Sequence, residues 1–360
     1  MPSQRNKHIL DTYLGLTLST LSSDNHQLDQ ESIEKMLRGI KKYLDYAELS
    51  YTREYKTCFE CRDAKLLQAE AKTKVTGKVQ QILIIPSLIN GMEILDLLQD
   101  HSFVSWLTGQ GFDVYILDWH PALKAKSICS LFDALDAVRE CAQYLSRDQK
   151  PVHGFGYCMG GTLLAGLAAR YKNLFKSLTF LASPWNFHAK NDPLSASLKA
   201  SIPLKPWSET TSVHWIQPFF AALDPLGAYN KFTAFSDMEE GCFEADRFVA
   251  VEDWLNSGQN LPMSLTEEIL DSWYLKNKPF TGEWIVSGKK ISATEIECPS
   301  FFVTPVKDKI VPLETASALE RQIKNTKQIT PDCGHIATLV SQKSYIDIWP
   351  VYCDWLTNQQ

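Results

Sequence analysis

The chain has 360 residues, 44% of them hydrophobic and 22% charged, with a formal net charge of -6. That balance describes a globular protein large enough for a substantial core, and its mild acidity gives no electrostatic case for nucleic acid. No apolar run reaches membrane-spanning length, the opening Met1–Leu10 is too polar for a secretory signal, and nine cysteines without regular spacing suit reduced thiols, so a cytoplasmic setting is expected. Residues 1–75 read as an N-terminal helical segment, because Ile33, Met36, Leu37, Ile40, Tyr43 and Leu44 recur at helical spacing. The lone Cys58-Phe59-Glu60-Cys61 pair then reads as a helical coincidence, since no second pair or nearby histidine completes a metal or redox site.

From residue 76 the pattern changes to alternating strands and helices. Gln81–Ile85 is a buried strand ended by Pro86, and Gly111–Trp119 is the next strand. Ser130–Leu145 reads as a helix, and Ser177–Pro184 as a further strand. This alternation implies a mostly parallel sheet covered by helices on both faces, with ligands at the carboxyl ends of the strands. The rhythm breaks across residues 186–287, rich in proline and aromatic residues such as Pro203, Trp215, Phe219 and Phe220, with helices near Gly241–Leu255 and Thr266–Leu275. That span reads as an inserted cap between two parts of the core, 76–185 and 288–360. The strand pattern resumes at Ser300–Pro305, and Asp347–Leu356 suggests a closing helix.

The most informative stretch is Gly156-Tyr157-Cys158-Met159-Gly160-Gly161. An apolar strand precedes it and a helix of small and aliphatic residues follows. This is a nucleophile elbow with cysteine where serine is usual, strained so that the side chain stands above the sheet edge. The helix N-terminus behind the sulfur favours negative charge there. Thiol attack on an acyl group needs a histidine to move protons and a carboxylate to orient it, in the chain order nucleophile, acid, histidine. Asp308 is the first acid after the resumed strand, and His335 is the one histidine downstream of it. Asp332 is the rival acid. An oxyanion site needs two backbone N–H groups. Met159 supplies one, and the turn after the first strand supplies the other through Leu88 or Ile89. His153 reads as a strand histidine satisfied by backbone, and His120, at a strand end, is a candidate for substrate contact. No metal cluster, phosphate loop or dinucleotide fingerprint is present, so no cofactor or metal is expected.

The elbow, Asp308-Lys309-Ile310-Val311-Pro312 and Gly334-His335-Ile336 together resemble the polyhydroxyalkanoate synthase family. Ile89-Asn90, the strand ending at Trp119, Trp254 with Asn260-Leu261-Pro262, and Trp273-Tyr274-Leu275 are similar to further stretches of that family. The resemblance implies the α/β-hydrolase fold and a Cys158, His335 and Asp308 triad. It also implies polymerisation of (R)-3-hydroxyacyl-CoA, a substrate rather than a cofactor, with release of CoA through a thioester on Cys158. Asn90, Tyr157, Trp254 and His120 become candidate substrate contacts. The chain length resembles the short synthase classes, which implies a second synthase subunit or a homodimer, at the surface of polyester granules. His120 and residues 190–238 depart from the family pattern. The alternative is an acyl-CoA thioesterase or dienelactone-hydrolase-like hydrolase using the same triad; a non-catalytic subunit keeping the fold is a third reading.

Overall fold

Eight strands form the main sheet, in the order β1-β2-β4-β3-β5-β6-β7-β8. They are β1 (Lys56–Cys61), β2 (Ala64–Ala69), β3 (Gln81–Ile85), β4 (Asp113–Asp118), β5 (Val152–Tyr157), β6 (Ser177–Leu181), β7 (Ser300–Val303) and β8 (Thr326–Ile329). The strands from β3 onward run parallel to one another, whereas β2 is antiparallel to both β1 and β4. In the computed structural model, the described residues are 15, 30–49, 51, 53–70, 80–148, 150–204 and 208–359. They divide into two compact units, one made of the residues up to Thr52 with Ser212–Gly258, the other of Arg53–Thr211 with Gln259–Gln360.

The parallel strands are buried on both faces, so their sequences are continuous apolar runs rather than alternations. Ile82, Leu83, Ile84 and Ile85 of β3 are wholly buried, and so is every residue of β5. Helices Leu131–Leu145 and Met159–Arg170 pack on the sheet through small residues, with Ala134, Ala137, Ala165 and Leu164 fully enclosed. Part of the aromatic richness after Trp185 is core in this same unit: Phe187 stacks on Trp273, and Trp273 meets Trp284 edge-on.

The helical reading of residues 1–75 is corrected at its C-terminal part. Residues 56–69 form a β-hairpin in place of a helix, closed by Arg62 and Asp63, both at positive φ (47° and 59°). Two such residues give the primed turn whose twist matches antiparallel strands. Ala64 and Leu66 are buried beneath it, and β2 finds a partner in β4, about fifty positions further along the chain. The Cys58 and Cys61 pair therefore lies on a strand, where Cys61 Sγ sits 3.8 Å from Cys141 Sγ on helix Leu131–Leu145. Residues 1–14, 16–29, 50, 52 and 71–75 of the expected segment lie outside the described residues.

The other unit contains the amphipathic helix Gln30–Asp45, as its periodicity predicts, with Met36, Ile40 and Tyr43 on the buried face and Leu37 exposed. Its partners are Phe232 and Phe235 of helix Gly227–Ser236 and Ala245 and Val249 of helix Phe243–Asn256. Two phenols seal the cluster's polar rim: Tyr43 donates to Asp253 Oδ1 and Tyr46 to Asp246 Oδ1, each at 2.7 Å. Of the span 186–287 read as a cap, residues 212–258 gather here, while 186–211 and 259–287 belong to the sheet unit.

Candidate active site

β5 enters helix Met159–Arg170 through one residue, Cys158, at φ 53° and ψ -124°. A β-carbon is rarely accommodated at such a φ, so the surroundings must impose it. They do so by close approach. A methyl at Gly156 would lie 2.3 Å from Gly161 Cα, and one at Gly160 would lie 1.9 Å from the Ile85 carbonyl oxygen. The turn is further pinned by hydrogen bonds from Cys158 N–H to the Leu181 carbonyl and from Gly161 N–H to the Cys158 carbonyl, both 3.0 Å. Cys158 itself is half-buried. Met159 opens the helix, and an amide in a first turn has no partner inside the helix.

The second candidate oxyanion donor lies in the turn after β3. Trp119 Nε1 donates to the Pro86 carbonyl at 3.2 Å and Gln259 N–H to the Ile89 carbonyl at 2.9 Å, which hold that turn in place. Ile89 N–H is directed at Ser87 Oγ, 3.3 Å away, and Leu88 is buried.

Asp308 follows β7, and its Oδ1 accepts from the N–H groups of Ile310 (2.9 Å) and Val311 (2.8 Å). Those bonds fix the carboxylate and leave Oδ2 for His335 Nδ1, at 2.7 Å. Both residues are buried, and Thr338 Oγ1 donates to the His335 carbonyl at 2.6 Å. The rival Asp332 instead pairs with Lys307 at the exposed surface, 2.9 Å away. Cys158 also acts on the His335 ring, so the imidazole feels both the sulfur and the carboxylate. Burial opposes charge on this ring; the Asp308 carboxylate, its hydrogen bond to Nδ1 and the nearby Cys158 sulfur outweigh it. Together they push its pKa up from 6.5 to about 10.

Tyr157, the last residue of β5, is buried with its ring centroid 5.2 Å from that of His335. Asn90 is half-buried in the β3-exit turn. His120 is exposed at the start of the short helix His120–Ala125 after β4, two strands away from β5 in the sheet. Trp254 is buried in helix Phe243–Asn256, in the helical unit. Tyr274, noted in the sequence only as part of a matching stretch, is not offered there as a site residue. It sits in the π-turn Leu270–Leu275, its ring edge-on to Phe187, and Asp192 and Cys158 both act on its phenol. The π-turn, a feature frequent at functional sites, has no signature in the sequence. His153 bonds through Nδ1 to Ser177 Oγ at 2.8 Å, a side-chain partner where a backbone one was expected.

Residues 82–342 match the alpha/beta hydrolase fold family. The chain belongs to that family. Among curated proteins it is similar to the poly(3-hydroxyalkanoate) polymerase subunit PhaC of Haloferax mediterranei, 28% identical over 82% of this chain and 62% of that one. The subunit of the same name from Haloarcula marismortui is 26% identical over 77% of this chain and 61% of its own. The chain thus spans about three-fifths of the length of these two haloarchaeal relatives. The subunit of that name from Allochromatium vinosum is 22% identical over 92% of this chain and 98% of its own. Solved structures with a similar fold include a lipase candidate of Acinetobacter baumannii AYE, with a TM-score of 0.55 and 16% identity over 94% of this chain and all of that one. An alpha/beta hydrolase fold protein from Nakamurella multipartita gives a TM-score of 0.50 with 13% identity, over 84% of this chain and 99% of that one. Among the described residues, no helix is long and apolar enough to cross a membrane.

Proposed function

We propose that this chain is an acyltransferase that extends a polyester from (R)-3-hydroxyacyl-CoA, using Cys158 as nucleophile, His335 as proton carrier and Asp308 as its orienting carboxylate. The observation that carries the reading is a cysteine at positive φ on the elbow, together with an imidazole anchored through Nδ1 on a buried carboxylate and acted on by that sulfur. The names of the similar PhaC subunits support the choice of substrate.

The Cys158 thiolate attacks the thioester carbonyl carbon, and the oxyanion forms toward the amides of Met159 and Leu88. The carbon–sulfur bond to CoA then breaks, the CoA sulfur takes the proton from His335, and the acyl group remains on Cys158. Exchange of one thioester for another is nearly isoenergetic, which suits sulfur at this position. In the second half, the hydroxyl of another hydroxyacyl unit gives its proton to His335 and attacks the Cys158 thioester. An ester forms and the Cys158 thiolate leaves, so each cycle adds one hydroxyacyl unit and releases one CoA. Asp308 keeps the imidazole in the tautomer and orientation that both halves require. Asn90 and His120, both of the sheet unit, are the proposed substrate contacts.

The test is incubation with 3-hydroxybutyryl-CoA, alone and with a candidate partner subunit, followed by product analysis. Insoluble polyester appearing with CoA is the expected result. Free 3-hydroxybutyrate as the sole acyl product would establish a hydrolase in its place, since water needs only the same triad.

A further inference from the structure

The mechanism leaves one buried group of the site without a task, the phenol of Tyr157. Its ring is 2% exposed and lies against the His335 imidazole, with centroids 5.2 Å apart and planes inclined by 34°. Its hydroxyl is buried and has no hydrogen-bond partner among the described residues. A buried phenol normally finds one. The side chain is therefore not held by its polar end, and what it offers the site is an aromatic face. A cation within about 6 Å of such a centroid is attracted by the ring quadrupole, more strongly when water is excluded. The imidazole carries positive charge when it has accepted the thiol proton, and it does so 5.2 Å from this ring.

We propose that Tyr157 is a positioning residue whose π-face holds the protonated imidazole of His335 between Asp308 and Cys158, stabilising the imidazolium–thiolate pair over the neutral pair. The titratable groups facing His335 are Asp308 on the loop after β7, Cys158 at the elbow and Tyr157 at the end of β5. Lys307 and Asp332 neutralise each other at the surface. Asp308 supplies the in-plane anchor through Nδ1, and the Cys158 sulfur acts on the same ring. Neither limits rotation of the imidazole out of its plane. The Tyr157 ring does, because strand β5 delivers it from the residue next to the nucleophile itself.

The inference rests on the proposed Cys158 and His335 pair but not on the acyl substrate, so its test uses neither CoA nor polyester. Iodoacetamide alkylates a thiolate with loss of iodide, and the rate at the Cys158 peptide can be followed by mass spectrometry across pH, separately from the other cysteines. Tyr157 is replaced by phenylalanine, then by 3,5-difluoro- and pentafluorophenylalanine, which keep the ring's shape while draining its face of electron density. Tyr157→Phe loses no hydrogen bond and should keep the wild-type pH profile. The fluorinated rings should slow alkylation near pH 7 progressively, by roughly three- to tenfold at full fluorination, with the profile displaced to higher pH. Identical profiles across the series would overturn the proposal. So would a Tyr157→Phe profile displaced as far as the pentafluoro one, because the hydroxyl would then be the active part. A graded displacement together with free acid as the sole acyl product would keep this inference and remove the polymerase reading.

Discussion

The two ends of strand β5 each hold a buried histidine in contact, and they are opposites. At the entry end, His153 bonds the neutral hydroxyl of Ser177 and no other group among the described residues, and burial, with Lys176 adding to it, lowers its pKa from 6.5 to about 4. At the exit end, burial works against His335 too, yet Asp308 and Cys158 raise it from 6.5 to about 10. The residue type and the lack of solvent are shared; the partners differ. Burial alone silences a histidine, and it takes an anchored carboxylate and a sulfur to keep one charged in the same sheet. The carboxyl edge of a parallel sheet is where loops can bring such partners together.

The sharpest way to break this contrast is to remove the exit-end groups. Cys158→Ala should abolish CoA release, and Cys158→Ser should leave a small residue, with losses of about 10^3-fold or more. Unchanged turnover in the alanine variant, measured by free-thiol release from 3-hydroxybutyryl-CoA, would move the site elsewhere. Asp308→Asn should cost about 10^2- to 10^4-fold in kcat, because an amide presents the wrong partner to Nδ1, and Asp332→Asn should leave kcat within about twofold. Equal effects of the two substitutions would undo the assignment of the acid. Gly160→Ala places a methyl 1.9 Å from the Ile85 carbonyl, so the soluble yield should collapse or the unfolding free energy drop by about 3 kcal/mol or more. Urea denaturation measures it, and a stable, fully active alanine variant would show that the elbow can widen.

The pH dependence of stability sharpens the same contrast, and its sign differs at the two ends. With a folded pKa near 4 and an unfolded value near 6.5, His153 contributes stability that is complete above pH 6.5 and lost as pH falls toward 4, about 3 kcal/mol at most. His335, raised to about 10, contributes stability that is complete below pH 6.5 and lost as pH rises through 10. Urea midpoints should therefore lose their slope between pH 4 and 6.5 in His153→Gln, and between pH 6.5 and 10 in His335→Gln. The same slope in both variants would contradict the partner argument. Turnover should separate them as well, His153→Gln staying within about twofold of wild type.

What could be read in the sequence follows from how local each device is. The elbow was legible because one strand, three glycines and one helix lie within a dozen residues, and their steric demands act on neighbours. Asp308 and His335 were legible by chain order, although the bond between them and the way Oδ1 is occupied by Ile310 and Val311 exist only in the folded chain. The hairpin of β1 and β2 was hidden for two physical reasons. Its turn uses Arg62 and Asp63 at positive φ, without the glycine or asparagine that signals such turns, and its pairing partner β4 lies far along the chain. The neighbourhood of Tyr274 and Cys158 spans 116 positions and had no local trace. The helix Gln30–Asp45 could be read as an amphipathic face, but nothing local says that its partners are Phe232, Phe235 and Val249.

The hairpin also settles how the sheet ends. Its outermost strand, β1, places Lys56 and Glu60 outward in solvent, and at the opposite margin β8 exposes Lys327. A strand carrying unpaired amides and carbonyls invites a neighbouring molecule to add its own strand, and charged side chains along it make that addition unfavourable. Those charges therefore weigh against a second copy of this protein adding its strand at either margin.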